Sequence, residues 1–131
     1  MRLIKYWLPV FLCMGIIFFA SNIPGYRLPQ AFSFQSVLYH FFAYMGLAWF
    51  LNRALKNTCP QIGIPQAFFL ALIFAGLYGA SDELHQLFIA GRSASIFDVF
   101  IDTLGSFLGC MLYSMKNNLF RRFIFSPEAG P

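Results

Sequence analysis

At 131 residues and 14.9 kDa the chain holds one domain, residues 1–131. Only 11% of it is charged, 59% is hydrophobic and 18 residues are phenylalanine; a soluble domain this small could not bury that much apolar area, and a disordered chain would carry little of it. The net charge of +4 has no basic face with interleaved aromatics, so it reads as a topology signal and an attraction to anionic lipid rather than to nucleic acid.

Residues 6–26, 28–52 and 57–81 carry no charge, in runs of 21, 25 and 25 residues. About 20 apolar residues cross the hydrocarbon as a helix, the only open-ended element whose backbone bonds are satisfied internally. Three spans are predicted at 6–22, 37–55 and 66–86. A fourth at 96–115 is apolar apart from Asp98 and Asp102. The first span has the basic start of a signal peptide, Arg2 and Lys5, but Phe18 at the −3 position before Ala20 spoils a cleavage site, so it reads as a retained helix. Pro24, Gly25 and Pro29 break the chain after span one, Pro60, Gly63 and Pro65 before span three, and Gly91-Arg92-Ser93 before span four. The tail, 120–131, is expected to be flexible.

Arg2, Lys5, Arg53, Lys56, Lys116, Arg121 and Arg122 fall on one side of these spans, and only Arg27 and Arg92 on the other. The positive-inside rule then places both termini in the cytoplasm, which requires an even number of spans. The expected fold is an all-α membrane protein, a bundle of four transmembrane helices; three spans and an interfacial helix form the alternative. Tyr6, Trp7 and Tyr113 suit a cytoplasmic aromatic belt. Cys13, Cys59 and Cys110 are scattered and odd in number, so they read as small packing residues rather than a disulfide or metal framework.

The polar residues that lipid would exclude collect at the other ends of the spans: Ser21 and Asn22; Ser36, His40 and Tyr44; Ser81, Asp82, Glu83, His85 and Gln86; Arg92, Ser93 and Ser95; Asp98 and Asp102. Helical spacing puts Ser36, His40 and Tyr44 on one face, groups Asp82, His85 and Gln86 with Glu83 beside them, and aligns Asp98 and Asp102 with Gly105 and Gly109. The glycine stripe permits close helix approach, so the acidic face of span four is expected to turn inward; contact with another copy through Gly105 and Gly109 is a further possibility. Ionisable groups inside a span are functional candidates. Each has a plainer alternative. Ser95 and Asp98 match a capping box, Asp98 favours a helix N-terminus, Asp82 could face solvent, Glu83 could pair with Arg92, Asp102 could form an ion pair within the bundle, and His40 could bond Tyr44 or backbone. No one of these explains why all lie on one side.

The run Ala80-Ser81-Asp82-Glu83-Leu84-His85-Gln86-Leu87-Phe88-Ile89-Ala90-Gly91-Arg92-Ser93-Ala94-Ser95-Ile96-Phe97-Asp98, followed by Asp102-Thr103-Leu104-Gly105 and Gly109, resembles the signature of the VanZ-like family, as does His40-Phe41-Phe42-Ala43-Tyr44. The resemblance covers about residues 20–110. Ser36 and Val37 stand where the family often has Asp-Lys, and Asp102 stands where it commonly has Asn. The family's namesake is linked to low-level resistance to the glycopeptide teicoplanin, which implies a bacterial cytoplasmic-membrane protein acting at the outer, cell-envelope side, with no established biochemical activity.

Three functional classes follow. A non-catalytic protein would bind a lipid, envelope precursor or glycopeptide-like amphiphile through Arg92, Glu83, Gln86, Asp98, Asp102, His40, Tyr44 and Ser95, with Arg92 on a phosphate or carboxylate and the acids and His40 holding it. An acid–base enzyme on a lipid-linked headgroup would use Glu83 or His85 with His40 as second proton carrier and Arg92 opposing negative charge. A subunit role in a membrane complex, transport included, is the third. No cofactor or metal is expected: a site from His40, His85 and an acid lacks a His-Glu-x-x-His spacing.

Overall fold

The computed structural model describes residues 1–28 and 34–116. Four helices follow in order: α1 (Arg2–Ser21), α2 (Gln35–Thr58), α3 (Ile64–Gln86) and α4 (Ile96–Lys116), with one 3-10 turn at Gly25–Arg27. No strand occurs among the described residues. The tail at 120–131, Pro29, Arg121 and Arg122 lie outside them.

Each helix ends where its chemistry says it should. Asn22 closes α1 by donating its side-chain amide to the Phe18 carbonyl at 2.7 Å, and Pro24 follows. Thr58 donates back to the Ala54 carbonyl at 2.7 Å, and Pro60 prevents α2 from continuing. Pro65 stands in the first turn of α3, where its missing N–H is not needed. Ser95 caps α4, its hydroxyl accepting the Asp98 N–H at 3.2 Å.

Val10, Leu47, Leu51 and Leu55 fill the core, small and polar residues line the close helix contacts, and many large apolar side chains face outward. On α3 the buried residues Ala67, Ala71, Ala75 and Gly79 recur every four positions and let the neighbouring helices approach. On α4 the buried face is Asp102, Gly105, Ser106, Gly109 and Cys110. Phe11, Phe69, Phe74, Phe100 and Phe107 instead point outward. A soluble protein would hide those rings; in lipid they are already solvated.

The inward turn of span four is found. A Cβ on Gly105 would overlap the Phe41 carbonyl, and one on Gly109 the Met45 carbonyl, both on α2 of the same chain. The stripe is therefore occupied by α2 of the same chain.

The apolar criterion falls differently from the sequence expectation. α1, α3 and α4 are each long and apolar enough to cross a membrane, the acids of α4 notwithstanding. The helix that falls short is α2, expected as span 37–55. The reason is its place: α2 packs against all three other helices, so protein covers Tyr44, Ala48, Asn52 and Ala54. Tyr113 is also corrected. It is 6% exposed, edge-on to Trp49 and bonded by Asn57 at 3.2 Å, so it belongs to the bundle interior rather than to an aromatic belt. Trp7 and Tyr6 sit at the same end, where Trp7 donates to Thr58 at 3.1 Å and Arg53 lies over the Tyr6 ring. The three cysteines are free, Cys110 fully buried.

Candidate functional site

The C-terminal ends of α1 and α3 meet the N-terminal ends of α2 and α4, and the polar residues singled out from sequence converge there. Their wiring is specific. His40 on α2 places Nδ1 3.0 Å from Asp102 Oδ1 on α4 and 4.0 Å from Glu83 Oε1 on α3. A carboxylate only accepts, so Nδ1 donates to Asp102. The ring also lies nearly parallel to that of Tyr44, one helical turn away. This answers the alternatives for His40 and Asp102: they are each other's partner.

Glu83 is 3% exposed and hydrogen-bonded through both oxygens. Its Oε2 accepts the Ser95 N–H at 2.7 Å, and its Oε1 accepts from Gln86 Nε2 at 3.1 Å. The capping box is thus split between helices. Ser95 caps α4 as expected, but the reciprocal acceptor for its N–H is Glu83 of α3, not Asp98. Asp98 keeps its carboxylate for the cluster: a nitrogen of His40 and one oxygen each of Glu83 and Asp98 all lie within 4.8 Å of one another.

Asp82 does not face solvent. It is 5% exposed, accepting from Ser21 Oγ at 2.6 Å and from Gln86 Nε2 at 3.1 Å. Gln86 therefore bridges the two adjacent acids. Asp102 is 0% exposed, and its second oxygen, Oδ2, has no hydrogen-bond partner; neither does the buried hydroxyl of Tyr44. Both groups stand against Gly79, where a Cβ would come 2.8 Å from Asp102 Oδ2 and 3.3 Å from the Tyr44 ring. Gly79 was not singled out from sequence. The signal was present in its place as the fourth member of the Ala67-Ala71-Ala75 series.

Two expected members are elsewhere. Arg92 makes no ion pair with any acid among the described residues. Its Nε and Nη2 donate to the Ile23 and Ala20 carbonyls, both at 3.2 Å. Ala20 lies in the last turn of α1 and Ile23 just beyond it, at the negative end of the helix dipole, which favours a guanidinium. Neither a Glu83–Arg92 bridge nor an acid cage around Arg92 forms. His85 points away from Glu83: Nε2 lies 3.3 Å from Asn22 Oδ1 and the ring stacks on Phe18 of α1. It belongs to the α1–α3 seam, on the other flank of α3 from Glu83 and His40.

A cavity of about 400 Å³ opens beside the cluster, between the end of α1 and the start of α2, with α3 behind it. Ile17, Ala20, Tyr39 and Ala43 give it an apolar wall, while His40 and Arg92 supply polar groups. Gln35, also at its edge, donates to Tyr39 one turn along α2 at 2.9 Å, on a face adjacent to that of Ser36 and His40. The two loops above are tied together, Gly25 N–H donating to the Ala90 carbonyl at 3.0 Å. Gly91 takes φ +73° in that contact, a left-handed conformation that favours glycine.

No curated protein and no solved structure matches the chain. A family model described as VanZ/LLP1 does match it, over residues 6–121. That stretch spans all four helices and every residue of the converging cluster, so the chain belongs to the VanZ/LLP1 family.

Proposed function

We propose that this chain lies in the bacterial cytoplasmic membrane with four spans and both termini in the cytoplasm, and that its cavity receives an anionic lipid of the cell envelope from the outer leaflet. The cavity carries the reading. One wall is apolar, as an acyl or prenyl chain requires, and Arg92 stands at the polar edge with its guanidinium only partly used by the α1 carbonyls. Arginine takes a phosphate through paired N–H groups, which an ammonium cannot reproduce.

Two further facts support the placement. Helix α2 has 24 residues, about 36 Å at about 1.5 Å each, enough to cross; its outward positions, Leu38, Tyr39 and Phe42, stay apolar or aromatic. The basic residues Lys5, Arg53, Lys56 and Lys116 share the end opposite the cluster, consistent with a cytoplasmic collar. A reporter fused to the C-terminus is expected to be active only on the cytoplasmic side; activity on the outer side overturns the topology.

For the ligand, native mass spectrometry of the detergent-purified protein is expected to retain phosphatidylglycerol or a polyprenyl phosphate in preference to phosphatidylcholine. Arg92→Lys, monodisperse on gel filtration, is expected to weaken that retention about tenfold. Equal retention of all three lipids, or no effect of the substitution, overturns the reading.

A further inference from the structure

We propose that His40, Glu83 and Asp98 form a binding site for a first-row divalent cation of the Zn²⁺ or Mn²⁺ kind. The three side chains come from three different helices and bring one nitrogen and two carboxylate oxygens within 4.8 Å of one another. Four ligands around Zn²⁺ at about 2.1 Å stand roughly 3.4 Å apart, so the triangle closes by small side-chain rotations. The backbone positions need not move.

The surroundings argue for a cation independently of that triangle. Asp82, Glu83, Asp98 and Asp102 gather at one end of the bundle, and no lysine or arginine pairs with any of them among the described residues. The nearby Arg92 turns Nε and Nη2 to main-chain carbonyls and pairs with none of these acids. Among the described residues, the one side chain able to carry positive charge that faces these acids is His40, and its one close contact is to Asp102. Asp102 is fully buried, reaches the cluster through Oδ1, and has no partner on Oδ2. Buried negative charge without a counterion is costly, and a divalent ion is the compact group that would offset it.

The supporting contacts are those of a ligand shell. Asp102 holds the His40 ring through Nδ1, so the ligating nitrogen would be Nε2, the arrangement in which carboxylates hold metal-ligating histidines. Ser95 N–H and Gln86 orient the Glu83 carboxylate from both of its oxygens. Because Glu83 takes the Ser95 N–H, Asp98 is spared the reciprocal role of a capping box. One imidazole with two carboxylates favours Zn²⁺ or Mn²⁺ over Ca²⁺, which prefers six or more oxygens. The site does not depend on the lipid reading of the adjacent cavity.

The test is metal content and affinity of the full chain, purified in detergent through a histidine-free tag. After chelator treatment and dialysis against Zn²⁺, mass spectrometry of the metal is expected to find about one ion per chain. Glu83→Gln and Asp98→Asn are expected to raise the dissociation constant at least about tenfold. Asp102→Asn, which acts through the His40 ring, is expected to raise it about 10–100-fold. His85→Ala and Cys59→Ser are expected to leave it unchanged. Failure of the wild-type chain to hold an ion overturns the site, as does full retention by both Glu83→Gln and Asp98→Asn. Loss of the ion in His85→Ala or Cys59→Ser assigns it to a different place. Helical circular dichroism on every variant separates loss of a ligand from loss of the fold; if Glu83→Gln unfolds, Asp98→Asn, at a half-buried position, decides alone.

Discussion

Gly105→Leu and Gly109→Leu are expected to leave no folded protein, and the alanine variants are expected to lower stability by about 1–3 kcal/mol each. The cause lies in what each Cβ would meet. At both positions the obstacle is a main-chain carbonyl of α2, Phe41 for Gly105 and Met45 for Gly109, rather than the tip of a side chain that could rotate aside. Relief therefore requires α2 and α4 to separate, which loosens the most extensive helix pair in the bundle. Gly46→Ala, with open space at its Cβ, is the control and is expected to be neutral or slightly stabilising through helix propensity. Cys110 supplies the readout, since it is fully buried in the same interface. With Cys13 and Cys59 replaced by serine, maleimide labelling of Cys110 is expected to be slow in the wild-type background and in Gly46→Ala, and fast in Gly105→Ala. Slow labelling and an unchanged melting temperature in Gly105→Ala would show that α2 does not pack there.

That interface also shows where sequence reading stops. Charge-free runs locate helices well, because lipid penalises charge along a whole span: the expected 6–22, 66–86 and 96–115 compare with Arg2–Ser21, Ile64–Gln86 and Ile96–Lys116. Spacing likewise shows that Gly105 and Gly109 share the face of Asp98 and Asp102. It does not say which helix fills that face, since any close neighbour would satisfy the same pattern.

His85 and Arg92 illustrate the limit at the site itself. Glu83 and His85 are two residues apart, so about 200° of helix rotation separates them. The end of α3 is held by α1 on one flank and by α2 and α4 on the other, and the two side chains go to opposite flanks. Proximity along the chain was misleading there. The sequence suggests acids as the partners of Arg92, because only side-chain charges are visible in it. Its real partners are main-chain carbonyls at the end of α1, about 70 residues earlier, and carbonyl dipoles leave no mark in the residue pattern. The acids that lost an arginine in this way are the ones now left facing His40.

His40→Ala is expected to destabilise the bundle by about 3–5 kcal/mol, the usual cost of leaving a buried charge without its partner. The substitution would strip Asp102 Oδ1 of its His40 partner, and Oδ2 already has none, so a fully buried carboxylate would stand without a hydrogen bond. The charge, more than the lost bond, is what makes this expensive, and Asp102→Asn separates the two. The amide oxygen can still accept from His40 Nδ1, and the amide nitrogen lies where Oδ2 lies, within the same small space as the Tyr44 ring beside Gly79. Alone, Asp102→Asn is expected to cost less than about 1 kcal/mol. In the asparagine background, His40→Ala should cost at least about 1 kcal/mol less than in the aspartate background, a coupling that thermal unfolding in detergent can resolve. The cycle belongs in excess chelator, so that only the His40–Asp102 pair is read. An equal cost of His40→Ala in both backgrounds would mean that packing of the imidazole against Tyr44, and not the buried charge, holds α2 to α4 at this end.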